Sequence, residues 1–292
     1  MEKKRYINHQ QQCKQSGITL VALVVTIIVL LILAGVTINL ALGNNGIIEK
    51  ATYASNTMAN ATKTETEEMK EVTKLIDEAV INLPSEYQRV EYIESTGTQY
   101  IDTNFKPTTD TKVKCILASE KMGTNQNIAY YGARTSPNDN TNFGFINFRE
   151  TKKLRFDRGG YTYSGKSNIV EAGTFYEIIQ DKNENYINGL KVSESNGNFS
   201  NVNYNIFIFG INENGTYLEN SAWTKDKISF KLFQIYNNSS LARNFIPCYS
   251  TINVINANEN QCTAGTIGMY DTVEGKFYTN NGTGEFLKGN DV

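Results

Sequence analysis

The chain changes its arrangement of apolar and polar residues three times. Residues 1–17 are polar and basic, residues 18–42 contain no charged side chain, and residues 43–83 carry apolar positions at helical spacing. From residue 84 onward, short alternating runs are separated by turn residues. This pattern predicts a leader at 1–17, a transmembrane helix at 18–42, a helical stalk at 43–83 and a β-domain at 84–292.

The apolar run at 18–42 is long enough to cross a bilayer. As a helix its residues would span roughly 37 Å, against a hydrocarbon core of about 30 Å. Two alternatives are a buried core helix and a secretory signal peptide, whose apolar region usually covers only about 7–15 residues. Basic residues precede the run and none lies just inside its far end. This asymmetry predicts a single-pass cell-membrane protein with its C-terminal domain outside.

The stalk prediction depends on a stretch without helix breakers. No proline or glycine occurs from Ile47 to Ile81, and Pro84 ends the helical pattern. Either a solvated spacer helix or a helix packed on a partner would give this pattern. The clearest apolar stripe is formed by Met69, Val72, Leu75, Ile76, Ala79 and Val80.

The last two thirds of the chain have the pattern of a mainly β domain. Residues 89–93, 112–117 and 142–148 read as strands, and Asn188-Gly189 is a favoured hairpin turn. The runs at 205–210 and 228–236 are apolar enough for the most buried strands. Many short strands separated by turns predict an antiparallel β-sandwich that follows the long N-terminal helix.

Composition narrows the function classes. The formal net charge of −2 and the lack of a basic stripe argue against nucleic acid as a partner. The one histidine, His9, lies in the leader, so a mature chain without the leader has no His-based triad and no His-ligated metal. No Glu is followed two residues later by Asp, a carboxylate arrangement common in sandwich-fold glycoside hydrolases. We therefore predict that the chain is not an enzyme.

The junction of the leader and the apolar run resembles a known processing site. The sequence KQSG followed by ITLV at residues 14–21 is similar to the cleavage site of type IV prepilins and type II secretion pseudopilins. The resemblance implies cleavage between Gly17 and Ile18 by a membrane prepilin peptidase, with methylation of the new N-terminus. It also implies other pilin or pseudopilin subunits as partners.

One position departs from that family. Its main subunits carry Glu at the fifth mature position, where this chain has Ala22. A carboxylate there pairs with a neighbour's N-terminal ammonium in a low-dielectric setting, where such pairing counts most. The departure favours a minor or tip subunit, or a simple surface anchor, over a major filament subunit.

A second resemblance covers residues 83–292. The stretch LPSEYQRVEYIESTGTQYIDT at 83–103 resembles the start of a laminin-G-like, concanavalin A-like jelly-roll domain of Gram-positive bacterial surface proteins. Further similar pieces are YGAR at 131–134, YING at 186–189, IFIF at 206–209, RNFIPCY at 243–249, GMYD at 268–271 and GKFYTN at 275–280. The resemblance implies a lectin-like sandwich that binds a glycan or a protein, in some members with calcium.

Candidate site residues are few. Trp223, Arg158 and Tyr161 could contact a ligand; the alternatives are a half-buried sandwich tryptophan and a strand end with its turn. Asn138, Asp139 and Asn140 could supply oxygen ligands to Ca²⁺, the one candidate cofactor, or could form a plain Asx-rich turn.

Two of the cysteines could form a disulfide or remain free thiols. Cys248 and Cys262 flank an Asn-rich insertion, and an exported, oxidising setting would allow a disulfide between them. The alternative is two free thiols. No CxxC motif or histidine accompanies them, which argues against zinc.

Together these features predict a membrane-anchored protein that displays a lectin-like binding domain at the cell surface. Its predicted function is adhesion or recognition of a glycan or surface protein, as a minor pilin or pseudopilin-type subunit. Two alternatives are a structural filament subunit without a ligand and a glycoside hydrolase-like enzyme on the same fold.

Overall fold

The computed structural model describes residues 20–42, 47–58, 83–137, 139–148, 153–165, 169–218 and 226–292. Contacts divide the chain into two units, Met1–Ile81 and Asn82–Val292. The predicted leader, the cleavage position between Gly17 and Ile18, and the apolar stripe at 69–80 lie outside the described residues.

The N-terminal unit contains the apolar helix. Helix α1 runs from Leu20 to Leu42, and residues 47–58 are also helical. Its side chains from 20 to 38 are exposed, and within the described ranges α1 alone is long and apolar enough to cross a membrane. The hydroxyls of Thr26 and Thr37 donate back to carbonyls one turn earlier, those of Ala22 and Leu33. These polar groups are therefore compatible with a lipid environment.

The second unit is built from strands, in chain order β1 (Tyr87–Arg89), β2 (Ile93–Ser95), β3 (Ile101–Asp102), β4 (Thr111–Ser119), β5 (Ile128–Arg134), β6 (Phe143–Phe148), β7 (Lys153–Arg158), β8 (Tyr161–Tyr163), β9 (Tyr176–Asp181), β10 (Glu184–Ile187), β11 (Leu190–Glu194), β12 (Phe207–Ile208), β13 (Asn212–Glu213), β14 (Thr216–Tyr217), β15 (Ile228–Asn237), β16 (Ser240–Ser250), β17 (Val254–Ile255), β18 (Gln261–Cys262), β19 (Ile267–Asp271), β20 (Lys276–Thr279) and β21 (Leu287–Lys288).

These strands form two main sheets. The large sheet has the order β11-β10-β9-β4-β15-β16-β19-β20, with β1 paired to β16 and with β2 between β15 and β21. The small sheet has the order β14-β13-β5-β6-β7-β8, with β12 paired to both β3 and β5. A separate ribbon joins β17 to β18. Among the described strand pairs, all are antiparallel except β13 with β5, so the predicted mainly antiparallel β-fold is confirmed.

The hydrophobic core brings the two sheets together in a sandwich-like arrangement. In β4, Val113, Cys115 and Leu117 alternate with partly exposed residues and are fully buried. The Tyr131 ring of the small sheet meets the Phe233 ring of the large sheet edge to face, with centroids 5.3 Å apart. Aromatic contacts of this kind add about 0.5–1.5 kcal/mol to the gain from buried area.

Local turn chemistry explains several connections. Asn188 and Gly189 both have positive φ, 48° and 74°, so the predicted hairpin turn joins β10 to β11. The same dipeptide at 214–215, with φ of 53° and 83°, joins β13 to β14.

The run at 205–210 differs from the prediction. Its residues are mostly buried as expected, but only Phe207 and Ile208 pair as a strand. The chain turns at Phe209, where φ is 72°. Because of this turn, β12 pairs antiparallel with β5 and β13 then pairs parallel with the same strand.

Candidate functional site

An open groove of about 610 Å³ lies beside the β13–β14 hairpin. Its volume falls within the range of about 300–1,000 Å³ that is usual for small-molecule sites. The residues that form it come from three separate parts of the chain. We call it the aromatic groove; its lining residues are Thr98, Tyr100, Glu213, Gly215, Thr216, Tyr217, Leu218, Gly282 and Thr283.

The groove contains a stack of aromatic rings. The rings of Tyr100 and Tyr217 have centroids 4.5 Å apart and planes only 7° apart. Tyr100 also stacks on Phe207, with centroids 4.6 Å apart. Phe207 is buried, whereas both tyrosines are half-buried, so the stack is fixed to the fold and still reaches the groove.

Tyr217 is held by the hairpin and by a glycine. The Asn214-Gly215 turn places Tyr217 opposite Asn212, and its hydroxyl donates to the Phe209 carbonyl at 3.2 Å. A Cβ built on Gly210 would lie 2.2 Å from Cε2 of Tyr217. Only glycine therefore leaves room for the ring in this position.

The opposite wall joins Tyr100 to a loop near the C-terminus. The Tyr100 amide donates to Oδ1 of Asn280 at 3.2 Å, and the Asn281 amide donates to the Tyr100 carbonyl at 2.8 Å. The Thr98 hydroxyl donates to the Thr283 carbonyl at 2.8 Å. These bonds hold the two segments of this wall together.

A carboxylate forms the polar side of the groove. The β13–β5 pairing places Glu213 beside Arg134, and Nε of Arg134 lies 2.6 Å from Oε2 of Glu213. The arginine is 3% exposed. Thr216 lies opposite Glu213 on β14, so a hydroxyl and a carboxylate share this edge.

A second carboxylate lies close to Tyr100. Burial raises the pKa of Asp102, although hydrogen bonds from the Asn104 amide and the Asn205 side chain oppose the shift. Burial, followed by the nearby Asp102 charge, raises the pKa of Tyr100. Tyr100 is therefore a neutral phenol around pH 7.

A buried ion pair lies on the same small sheet, in β7. Nε and Nη2 of Arg155 contact the two carboxylate oxygens of Asp157 at 2.8 and 3.0 Å. Burial raises the pKa of Asp157 from 3.8 to about 6, and the charge of Arg155 is the largest opposing effect. The Arg155 guanidinium lies 4.2 Å from the ring centroid of Tyr161, which is 41% exposed. Tyr161, predicted as a ligand contact, thus covers an ion pair and presents one accessible ring.

Arg158 is placed differently from Tyr161. It is buried, and its guanidinium donates to the backbone carbonyls of Thr109 and Thr111. It also lies over the ring of Phe199, 4.8 Å from the centroid. All of its described contacts stabilise the fold, so we leave Arg158 out of the candidate site.

The predicted calcium residues are only partly described. Oδ1 of Asp139 accepts bonds from the amide and hydroxyl of Thr141, as in an Asx turn, and Asn140 donates to Ser200. Asn138 lies outside the described residues, as does Trp223. In the part of the chain that the structure describes, no three His, Cys, Asp or Glu side chains cluster as a metal site. Calcium binding stays a prediction.

The disulfide between Cys248 and Cys262 stays a prediction. Cys248 and Cys262 are both free thiols in the structure. Cys248 is fully buried in β16, opposite Gly268, whereas Cys262 is half-exposed in the β17–β18 ribbon. Burial raises the pKa of both thiols.

Tyr100, Glu213 and Tyr217 were not among the sequence-predicted site residues. The Asn214-Gly215 dipeptide is a turn signal that could have placed Glu213 and Tyr217 on one hairpin. Nothing in the local sequence joins that hairpin to Tyr100, more than a hundred residues earlier.

Comparisons with known proteins give little further information. No family model and no curated protein matches the chain. A crystal structure named "putative carbohydrate binding protein" from Bacteroides ovatus is similar with a TM-score of 0.44 and 11% identity. The similarity covers 70% of this chain and 62% of that protein, so less than two thirds of the latter is matched. A likeness of this size says nothing about the ligand of this chain.

Proposed function

We propose that this chain is a membrane-anchored protein that binds glycans in the aromatic groove. The observation that carries the proposal is the stacked pair Tyr100 and Tyr217 in an open groove edged by hydroxyls and a carboxylate. Aromatic side chains offer a rigid apolar surface with a polar end. The C–H face of a sugar ring packs on such a surface, while its hydroxyls bond to Thr216 and Glu213.

The mixed chemistry of the groove distinguishes a glycan from an apolar ligand. A hydrophobic ligand would cover the remaining acceptor sites of Glu213 and the Thr216 hydroxyl without bonding to them, which costs free energy. A sugar can pack on the face of Tyr217 that is turned away from Tyr100 and can also bond to these polar groups. Recognition of a surface protein is the runner-up, since a half-buried tyrosine pair at the surface also suits a protein contact.

The anchor is the second part of the proposal. Helix α1 would cross the cell membrane once and place the β-domain outside, as the basic residues before the helix suggest. We propose that a prepilin peptidase cleaves between Gly17 and Ile18 and that the chain is a minor pilin or pseudopilin-type subunit. Support comes from the sequence at 14–21, and Ala22 is the reason for proposing a minor subunit.

Glycan binding is tested with the full chain in detergent micelles on a glycan array. We expect at least one oligosaccharide to bind, and Tyr217→Ala to weaken that binding at least about tenfold by removing the stacking surface. Tyr236→Ala, a half-buried tyrosine of the large sheet, is the matched control and should bind normally. Binding that is unchanged in Tyr217→Ala would exclude the aromatic groove as the site.

Processing is tested separately by mass spectrometry of protein from native membranes. A mature N-terminus at Ile18, with a methyl group, is the expected result. A chain that begins at Met1 would contradict the processing proposal and would leave the binding proposal intact.

A further inference from the structure

The charge that is accessible in the aromatic groove is one-sided. Its described lining contains one carboxylate, Glu213, and no lysine, arginine or histidine. The cation in contact with the lining carboxylate is Arg134, and it is buried behind Glu213.

The Glu213 carboxylate is fixed in place and still accessible. Arg134 is held in β5, and its Nε donates to Oε2 of Glu213. The Glu213 side chain keeps 29% of its surface accessible. A carboxylate has about four lone-pair sites for hydrogen bonds, so the bond from Arg134 leaves acceptor capacity on the groove side for a ligand hydroxyl.

This arrangement distinguishes neutral from acidic ligands. A sugar hydroxyl donates to an ionised carboxylate in a charge-assisted hydrogen bond. A uronate, sialate or sulfate brings a like charge towards Glu213 and finds no accessible cation in the described lining. An ionised carboxylate only accepts hydrogen bonds, so Glu213 can bond a sugar hydroxyl but not the oxygens of an ionised acidic group.

We infer that the aromatic groove selects neutral glycans and that Glu213 is its specificity-determining residue. This inference rests on the proposed function, since it names the class of glycan bound at the same site. Arg134 is a positioning residue, because its guanidinium holds the carboxylate and is too buried to contact the ligand.

The test compares matched oligosaccharides on the full chain in detergent micelles. The probes are neutral oligosaccharides of hexoses and N-acetylhexosamines, and the same cores carrying a terminal sialate, uronate or sulfate. We expect the acidic forms to bind at least about tenfold more weakly. The difference should grow when salt is lowered from about 150 mM to about 20 mM, because like-charge repulsion is then less screened.

Substitution of Glu213 gives a second measurement. Glu213→Gln should weaken neutral-glycan binding about tenfold and reduce the preference over acidic forms, since an amide replaces the charged acceptor. Glu177→Gln is the matched control, because Glu177 is also a partly exposed partner of a basic residue, Lys114 at 3.0 Å. Glu177→Gln should change neither the affinity for neutral glycans nor the preference over acidic forms. If Glu213→Gln does not fold, the selectivity is still tested by comparing neutral and acidic glycans on the wild-type chain at the two salt concentrations.

The outcomes separate this inference from the proposed function. Acidic forms that bind as tightly as neutral ones, with binding lost in Tyr217→Ala, would overturn the selectivity and leave glycan binding intact. If Glu213→Gln binds neutral and acidic glycans as the wild type does, Glu213 does not determine the specificity. Wild-type chain that binds neither class would overturn both the inference and the proposed function.

Discussion

Tyr100 and Tyr217 stack almost in parallel, with ring centroids 4.5 Å apart, although they come from distant parts of the chain. The contact depends on Gly210, because a Cβ there would overlap the Tyr217 ring. A change at a residue that does not line the groove should therefore alter the groove.

Gly210→Ala is expected to displace Tyr217 and destabilise the β-domain by about 1–3 kcal/mol, the usual cost of overpacking. Chemical unfolding of the full chain measures this cost. Gly160→Ala is the control, because the nearest atom to a Cβ there is 3.7 Å away. The double variant Gly210→Ala/Tyr217→Ala should be no less stable than Tyr217→Ala, since the overlap is gone. If the double variant loses the sum of the two single destabilisations, Gly210 stabilises the domain by something other than making room for the Tyr217 ring.

Asp157 should make stability depend on pH. Its pKa is raised from the ordinary value of 3.8 to about 6 in the folded protein, because burial favours the neutral form. The folded state then binds a proton more tightly than the unfolded state, so the contribution of Asp157 to stability falls as pH rises from about 4 to about 6.

Asp157→Asn, which resembles the protonated form, tests this dependence. The free energy of unfolding of the variant relative to wild type should increase between about pH 4 and pH 7. Asp139→Asn, in a half-buried turn, serves for comparison. A relative stability that decreases with pH would mean that the ion pair with Arg155 outweighs the cost of burial.

Arg158 should contribute to stability and not to binding. Arg158→Ala removes a buried guanidinium that donates to the carbonyls of Thr111 and Thr109, which should cost about 2 kcal/mol in the free energy of unfolding. Exposed Lys276→Ala should stay within about 0.5 kcal/mol of wild type. Glycan affinity measured under conditions where both variants are folded should be unchanged; a specific loss in Arg158→Ala would return this residue to the binding site.

Helix α1 should be sensitive to a charge at its centre. Leu31→Arg should make insertion about 2.5–3.5 kcal/mol less favourable, whereas Leu31→Ala should have a much smaller effect. The fraction of chain that resists alkaline extraction from membranes measures the change. Equal extraction of Leu31→Arg and wild type would argue against a transmembrane role.

The thiols should differ in reactivity. Cys262 is half-exposed and should be alkylated in the native protein, whereas Cys115 and Cys248 are fully buried and should react only after unfolding. Peptide mass spectrometry identifies the order of modification. If Cys262 and Cys248 resist alkylation in denaturant until a reductant is added, they are joined by a disulfide after all.

Much of the fold could be predicted because the decisive signals are local. Alternation in 112–117 placed a strand that the structure extends to Thr111–Ser119, and Asn188-Gly189 marked a tight turn. The uncharged run at 18–42 indicated the helix found at Leu20–Leu42. The segment from Phe207 to Phe209 was only partly predictable. Its apolar side chains predict burial, but they do not predict the positive φ of Phe209 that ends the strand.

The candidate site was not predictable in the same way. Arg158 and Tyr161 were singled out together from one short loop, yet one holds backbone carbonyls and the other covers a buried ion pair. Hydropathy does not distinguish these environments, because both side chains are polar and both lie near a strand end.

The sequence alone determined the apolar helix, the mainly β character of residues 84–292 and the tight Asn-Gly turns, since each depends on neighbouring residues. Tertiary structure decided that Tyr100 meets Tyr217 and that a buried Arg134 holds Glu213 at the groove. Those contacts exist only after β3, β5, β12 and the β13–β14 hairpin come together in one sheet. Their physical basis is long-range strand pairing, which no short stretch of sequence encodes.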